Sequence, residues 1–168
     1  IERGWGDLVD VLTQLKRAGL GAIVEAPLDR LADAEVALQA CQDAGLKTLL
    51  VSGGFTFFTD RVRARLRLDF ARANVLEIVH GALTGRLVDR PWGDIVDGNE
   101  KKRVVLEVCE LMGIEPAQAI AVGDGANDLP MMAAAGLSIA YHPKPAVREQ
   151  ASITIDEGGM DRVLSVLS

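Results

Sequence analysis

Two carboxylates, Asp124 and Asp128, lie four residues apart in the segment Gly-Asp-Gly-Ala-Asn-Asp, residues 123–128. The segment follows a short apolar run at residues 120–122, and its glycines allow the backbone to turn tightly. Oxygen ligands on a tight turn at the carboxyl end of a strand suit a hard divalent cation such as Mg²⁺. A loop that only reverses the chain needs neither carboxylate. The spacing therefore predicts a cation site, of which these two carboxylates would form one half.

Hydroxyl and ammonium groups elsewhere in the chain are candidates for binding an anion. Ser52, Gly53 and Gly54 follow an apolar run and precede a predicted helix, so a hydroxyl and backbone N–H groups there could hold a phosphate. An ordinary strand-to-helix turn explains the same residues equally well. Lys101 and Lys102 lie at the start of another predicted helix, where a cation opposes the helix dipole. One of them could meet an anion, and a solvated lysine pair is the alternative.

Hydrophobic periodicity predicts the elements that carry these residues. The predicted helices lie at residues 6–18, 21–32, 34–44, 56–67, 99–112, 128–135 and 160–167, with one more opened by Pro145. The predicted strands lie at residues 47–51, 74–79, 83–88, 119–122, 138–141 and 153–155, the second and third as a hairpin. The alternation of helix and strand from residue 34 predicts an α/β fold with a parallel sheet. Ligands of such folds bind at the carboxyl ends of strands, where Ser52, Asp124 and His142 fall.

Composition narrows the class of protein. The 168 residues suffice for one domain, and 49% are hydrophobic, which is enough for a core. The net charge of −6 argues against non-specific nucleic-acid binding, and no apolar run reaches membrane-spanning length. Cys41 and Cys109 lie in apolar helical segments, as expected of buried thiols in a reducing compartment. We therefore expect a cytoplasmic protein that binds neither nucleic acid nor membrane, and the sequence predicts no oligomeric state.

Several stretches resemble one known family. They are residues 51–58, the hairpin through Leu83-Thr84-Gly85, residues 123–132 and His142-Pro143-Lys144-Pro145. On these stretches the chain resembles the phosphoserine phosphatases of the haloacid dehalogenase-like superfamily, nearly continuously from residue 34 to residue 167. The resemblance implies a Rossmann-like parallel sheet with a β-hairpin as the catalytic core at residues 33–168. Residues 1–32 would be the later part of a helical cap.

The resemblance also implies site roles. Ser52 and the Gly53 N–H would bind the substrate phosphate, and so would Lys101, with Lys102 as its close competitor. Asp124 would ligate Mg²⁺, Asp128 would hold the metal site directly or indirectly, and Asn127 would lie beside the phosphate. The implied reaction is Mg²⁺-dependent hydrolysis of O-phosphoserine to serine and phosphate, as a step of serine synthesis.

The family's nucleophile is missing from these residues. The implied reaction passes through a phosphoaspartate, and a second Asp two residues later acts as general acid and base. No two aspartates of this sequence are two residues apart. We expect both groups and the first strand of the core to lie upstream of these residues. A truncated chain that binds Mg²⁺ or phosphate without turnover is one alternative.

A phosphatase of another small phosphomonoester is the second alternative. Asp10-Val11 stands where the family has a cap arginine that contacts the substrate carboxylate, and an acid there would repel phosphoserine.

Overall fold

The computed structural model describes residues 32–88 and 95–167. The helices and strands, in chain order, are α1 (Ala32–Asp43), β1 (Leu49–Phe55), α2 (Thr56–Leu66), β2 (Phe70–Asn74), β3 (Leu76–Val79), β4 (Ala82–Leu87), α3 (Gly98–Met112), β5 (Ile120–Gly123), α4 (Leu129–Ala134), β6 (Leu137–Tyr141), α5 (Pro145–Arg148), β7 (Ile153–Ile155) and α6 (Arg162–Leu167). Two 3₁₀ turns, Pro116–Gln118 and Ala126–Asp128, flank β5. Apart from Ala32, the predicted cap segment lies outside the described residues. None of the described helices is both long enough and apolar enough to cross a membrane.

Five strands form parallel sheets, which confirms the predicted α/β class. β1 pairs with β2, and a second sheet has the order β5–β6–β7. β3 and β4 form the predicted antiparallel hairpin. The predicted sheet is thus seen as two pieces, and within residues 32–88 and 95–167 no strand joins β1 to β5.

Strand β2 differs from the sequence prediction, which has a strand over residues 74–79 and none before it. The prediction is wrong for residues 70–73, because they belong to β2, and the hairpin strand β3 begins at Leu76 rather than at residue 74. The sequence Phe-Ala-Arg-Ala-Asn contains no β-branched residue, so its strand propensity is low. Tertiary contacts stabilise it instead: Arg72 forms an ion pair with the buried Glu100 of α3 at 3.1 Å.

Helices cover both faces of the β5–β6–β7 sheet. Ile139 and Ala140 are consecutive in β6 and therefore point to opposite faces, yet both are 0% exposed. Ala140 packs with Met131, Met132 and Val147 in one core cluster. Ile139 packs with Ile155 and Val163 in the other. Burial on both faces is typical of a parallel sheet and confirms the predicted layers.

Helix α3 connects the two sheets. It contacts β1 on one side, and α4 and both 3₁₀ turns on the other. α1 and α6 make a second contact between the two halves. Asp97 caps α3, because its Oδ1 accepts a hydrogen bond from the Glu100 N–H at 2.8 Å. α3 is therefore anchored at the end that carries Lys101.

Asp69 anchors the start of β1. Its carboxylate accepts hydrogen bonds from Lys47 Nζ at 2.8 Å, the Thr48 N–H at 2.9 Å and the Thr48 hydroxyl at 3.0 Å. These bonds, that of Lys47 first, lower the pKa of Asp69 to about 2. An Asp in the unfolded chain has a pKa of about 3.9. Asp69 is therefore more acidic in the folded protein, and its ionised form stabilises the fold.

We expect Asp69→Asn to reduce stability by about 1 kcal/mol at pH 7. Asp69 stabilises the fold above a pH of about 4, and its contribution is lost as the pH falls towards about 2. The difference in the free energy of unfolding between wild type and variant, measured with urea, should therefore become smaller as the pH is lowered from 6 to 2.5. Asp43→Asn is the control, because Asp43 is an exposed carboxylate that accepts a hydrogen bond from Gln39. A D69N deficit that does not change with pH would contradict this prediction.

Candidate active site

Asp128 holds the loop that follows β5 in place. Its Oδ2 accepts hydrogen bonds from the backbone N–H groups of Asp124 at 3.0 Å and Gly125 at 3.1 Å. The carboxylate needs a glycine at position 123, because a Cβ there would lie 2.5 Å from the Asp128 Cβ. Asp128 is only 4% exposed, whereas Asp124 is exposed. One carboxylate is thus tied into the protein, and the other faces solvent.

Lys101 joins helix α3 to this loop. Its Nζ lies 2.6 Å from Asp128 Oδ1, and Lys101 is 6% exposed. Lys102, the next residue, is exposed. Of the two lysines that the sequence offers, Lys101 is therefore the one that the fold brings to the Asp128 carboxylate. An ammonium has three N–H donors, so this ion pair leaves donors for a further anion.

The charge state of Asp128 follows from its surroundings. Burial by itself raises the pKa of Asp128, and the hydrogen bonds from Lys101, Gly125 and Asp124 act in the opposite direction and prevail. The pKa therefore lies below its ordinary value, and Asp128 is ionised at neutral pH. A buried carboxylate and a buried ammonium at 2.6 Å make a fixed local dipole beside the loop.

The Ser52–Gly54 stretch lies within β1, where the pairing with β2 is irregular between Val51 and Phe55. Ser52 Oγ accepts a hydrogen bond from the Gly54 N–H at 3.0 Å. Because an accepting hydroxyl still carries its own proton, Ser52 can donate to an anion at the same time. The predicted turn at residues 52–54 is therefore part of a strand that runs on to Phe55, and Gly53 and Gly54 are exposed there, as binding of a phosphate requires.

Asn74 and the loop after β6 contribute contacts that the sequence does not predict. Asn74 Nδ2 donates to the Gly53 carbonyl at 2.9 Å, and its Oδ1 accepts from the Val96 N–H at 2.9 Å. The Lys144 N–H donates to the Asp124 carbonyl at 3.0 Å. The sequence offers no signal for Asn74, because the predicted strand begins at residue 74, whereas in the structure Asn74 ends β2.

Asn127 belongs to the 3₁₀ turn after Asp124, and its side chain is exposed. Its backbone carbonyl packs against the start of α3, because a Cβ at Gly98 would lie 3.0 Å from that oxygen. Asn127 therefore lies on the same side of the sheet as Asp124 and Lys101. The carboxyl ends of β1 and β5 and the amino end of α3 carry the residues predicted to bind the phosphate and the metal, namely Ser52, Gly53, Lys101, Asp124, Asn127 and Asp128.

The donor set fits part of a Mg²⁺ site. Among residues 32–88 and 95–167, no group of three or more His, Cys, Asp or Glu side chains is placed to hold a metal. Mg²⁺ nevertheless keeps several waters and needs one or two carboxylates together with phosphate oxygens. The exposed Asp124 can supply one such carboxylate, while both oxygens of Asp128 accept hydrogen bonds from protein groups.

Comparison with known proteins identifies the family. A family profile described as haloacid dehalogenase-like hydrolase matches residues 22–136. A phosphoserine phosphatase from Polaromonas sp. is 66% identical over 130 residues, which cover 77% of this chain and 55% of that protein. One from Idiomarina loihiensis is 40% identical over an alignment of 172 positions, which covers 98% of this chain and 76% of that protein. The chain thus spans about half the length of the Polaromonas relative.

Solved structures agree with this result. A structure described as a phospho-aspartyl intermediate analogue of phosphoserine phosphatase is 34% identical, with a TM-score of 0.73. The match covers 79% of this chain and 62% of that chain. The resemblance predicted from residues 51–58 and 123–132 is confirmed: this chain belongs to the haloacid dehalogenase-like hydrolases, in the group that contains the phosphoserine phosphatases.

Proposed function

We propose that this chain is the catalytic core of a Mg²⁺-dependent phosphomonoester hydrolase that converts O-phosphoserine and water into serine and phosphate. The observation that carries the proposal is the buried Lys101–Asp128 ion pair beside the exposed Asp124. Relatives that are 66% and 40% identical are named phosphoserine phosphatases, which supports the choice of substrate. A cytoplasmic location and a place in serine synthesis follow as parts of the same proposal.

The phosphate would be bound by groups from two segments. Lys101 keeps donors beyond the one directed at Asp128, and a cation suits the negative charge of the transferring phosphoryl group. The Ser52 hydroxyl and the Gly53 N–H would donate from the opposite side, and Asn127 would donate from the 3₁₀ turn. This arrangement positions the phosphoryl group and compensates its charge, which is what phosphoryl transfer requires of a protein.

Asp124 would hold the metal, and Asp128 would support it by fixing the backbone of Asp124 and Gly125. Direct ligation by Asp128 stays a second possibility of the sequence prediction. Bound Mg²⁺ would neutralise charge on the phosphoryl oxygens.

The nucleophile and the general acid would come from a strand placed between β1 and β5. Within the described residues, β1 pairs on one edge with β2, and β5 pairs on one edge with β6. Ile120 at the start of β5 is 39% exposed, whereas Ile139 of β6 is 0% exposed. A parallel strand between them would satisfy both edges and would end beside Ser52 and Asp124. In this scheme, residues 33–168 are the core and residues 1–32 are part of the cap.

A non-catalytic binder is the second candidate. No two aspartates of the sequence are two residues apart, which favours binding of Mg²⁺ or phosphate without turnover by these residues alone. A different small phosphomonoester is the related alternative, and it rests on Asp10, which lies outside the described residues.

A chimera separates these candidates. In the Idiomarina chimera, this chain replaces the segment of the Idiomarina loihiensis phosphoserine phosphatase that it matches over 98% of its length, and the rest of that protein supplies the nucleophile and the general acid. We expect the chimera to release phosphate from O-phosphoserine only with Mg²⁺, and the 168-residue chain alone to bind phosphate without releasing it from substrate.

Two results would change the proposal. A folded chimera that hydrolyses other phosphomonoesters but not phosphoserine would establish a different substrate. A folded chimera without any phosphatase activity would leave the non-catalytic binder as the function.

A further inference from the structure

Asn74 links two segments that are distant in the sequence. It lies at the end of β2 and is 8% exposed. Its amide donates to the Gly53 carbonyl and accepts from the Val96 N–H, both at 2.9 Å. The partners fix the orientation of the amide, because a carbonyl accepts from the NH₂ group and an N–H donates to the oxygen. Both the nitrogen and the oxygen of the Asn74 amide are thus bound to backbone groups.

The two linked segments are those that carry the candidate phosphate-binding groups. Gly53 follows Ser52 directly. Val96 precedes Asp97, the cap of α3, and the Asp97 carbonyl accepts a hydrogen bond from the Lys101 N–H at 2.9 Å. The segments also touch, because a Cβ at Gly53 would lie 3.2 Å from the Val96 carbonyl oxygen. The Asn74 amide therefore holds the Ser52 segment against the amino end of the helix that carries Lys101, and we call its two hydrogen bonds the Asn74 clip.

We propose that Asn74 is a positioning residue, which fixes the separation of Ser52 and Lys101 so that both can bind one phosphate. The ligand in this statement rests on the proposed function. Binding groups lose much of their effect when they are displaced by a fraction of an ångström to an ångström, so a clip between them matters beyond its own hydrogen bonds.

Gln42 offers a matched control for a merely structural amide. Its Nε2 donates to the Leu66 and Arg67 carbonyls, both at 3.2 Å, and so ties α1 to the end of α2. Neither partner belongs to the candidate active site. Loss of the Gln42 amide should reduce stability without altering the site.

Two variants of Asn74 divide its role. N74D keeps an acceptor for the Val96 N–H but directs a carboxylate at the Gly53 carbonyl, and N74A removes both bonds. In the full chain with Mg²⁺, titration with inorganic phosphate is followed through the backbone amide NMR signals of Ser52 and Gly54, and urea unfolding gives the stability. We expect N74D and N74A to weaken phosphate binding at least tenfold, and Q42A to bind within twofold of wild type.

The outcomes decide the inference separately from the proposed function. Phosphate affinity of folded N74D and N74A within twofold of wild type overturns it, and so does an equal loss in Q42A. If the wild-type chain binds no phosphate, the proposed function fails. The backbone amide NMR signal of Lys101 in the variants then tests whether Asn74 positions the helix that carries Lys101. A shift of that signal in N74A but not in Q42A supports the clip, and an unchanged signal in N74A overturns it.

Discussion

Replacing Lys101 with methionine is expected to destabilise the protein by about 3–5 kcal/mol and to abolish phosphate binding. Methionine keeps much of the side-chain volume but removes the charge. Asp128 would then remain buried with an unpaired Oδ1, since its other oxygen already accepts from Asp124 and Gly125. Urea unfolding measures the first effect, and phosphate titration of the folded variant measures the second.

Two further variants give the Lys101 prediction its controls. Lys102→Met changes an exposed lysine, so its effect on stability should stay within about 0.5 kcal/mol. The double variant K101M/D128N removes the stranded charge and should recover much of the stability lost in K101M. It should not recover phosphate binding, and in the Idiomarina chimera it should leave kcat reduced at least about 100-fold. A K101M chain as stable as wild type would show that the ion pair contributes nothing.

Replacing Gly136 with alanine is expected to cost about 3 kcal/mol or more, because no free space exists for a methyl group. A Cβ there would lie 1.8 Å from the Ala117 carbonyl oxygen and 2.5 Å from its carbon. The 3₁₀ turn cannot simply move away. The Gly136 N–H donates to the Pro116 and Ala119 carbonyls on either side of Ala117, both at 3.1 Å.

Gly45→Ala is the control, because it measures the loss of stability on replacing a glycine where no steric clash results. Gly45 has a φ of +82°, and a Cβ there would meet nothing within 4 Å. Its replacement should therefore cost only the strain of a left-handed residue, about 1–2 kcal/mol. Urea unfolding of both variants tests the difference, and equal losses for G136A and G45A would refute the steric explanation.

The candidate site was predictable where local sequence carries the chemistry. The Asp124–Asp128 pair and the Ser52-Gly53-Gly54 stretch both place polar groups at the ends of apolar runs, and the amino end of α3 contacts both segments. The choice between Lys101 and Lys102 depends instead on the rotation of α3. Lys101 precedes Val104 by three residues and Val108 by seven, so the helical period already favours it for the buried face. The same period fails at Leu111, which is 72% exposed.

Other features depend on contacts between distant residues. β2 has weak strand propensity, and it forms because β1 pairs with it. The hydrogen bond that Arg72 donates to Glu100, 28 residues later, stabilises it further. The role of Asn74 likewise depends on two backbone groups 21 and 22 residues away. No local pattern encodes such pairs, which explains why the sequence predicts the carboxylates but not the residue that clips the site.

The division of the described sheet into two pieces makes the site sensitive to shear. No backbone hydrogen bond joins the two sheets within the described residues. A sliding displacement of one against the other would thus break no strand pairing there, and packed helices can slide by small amounts. Three side-chain contacts at the amino end of α3 oppose it: Asn74 and the Arg72–Glu100 ion pair towards one sheet, and the Lys101–Asp128 ion pair towards the other. The alignment of the candidate catalytic groups therefore depends on one amide and two ion pairs.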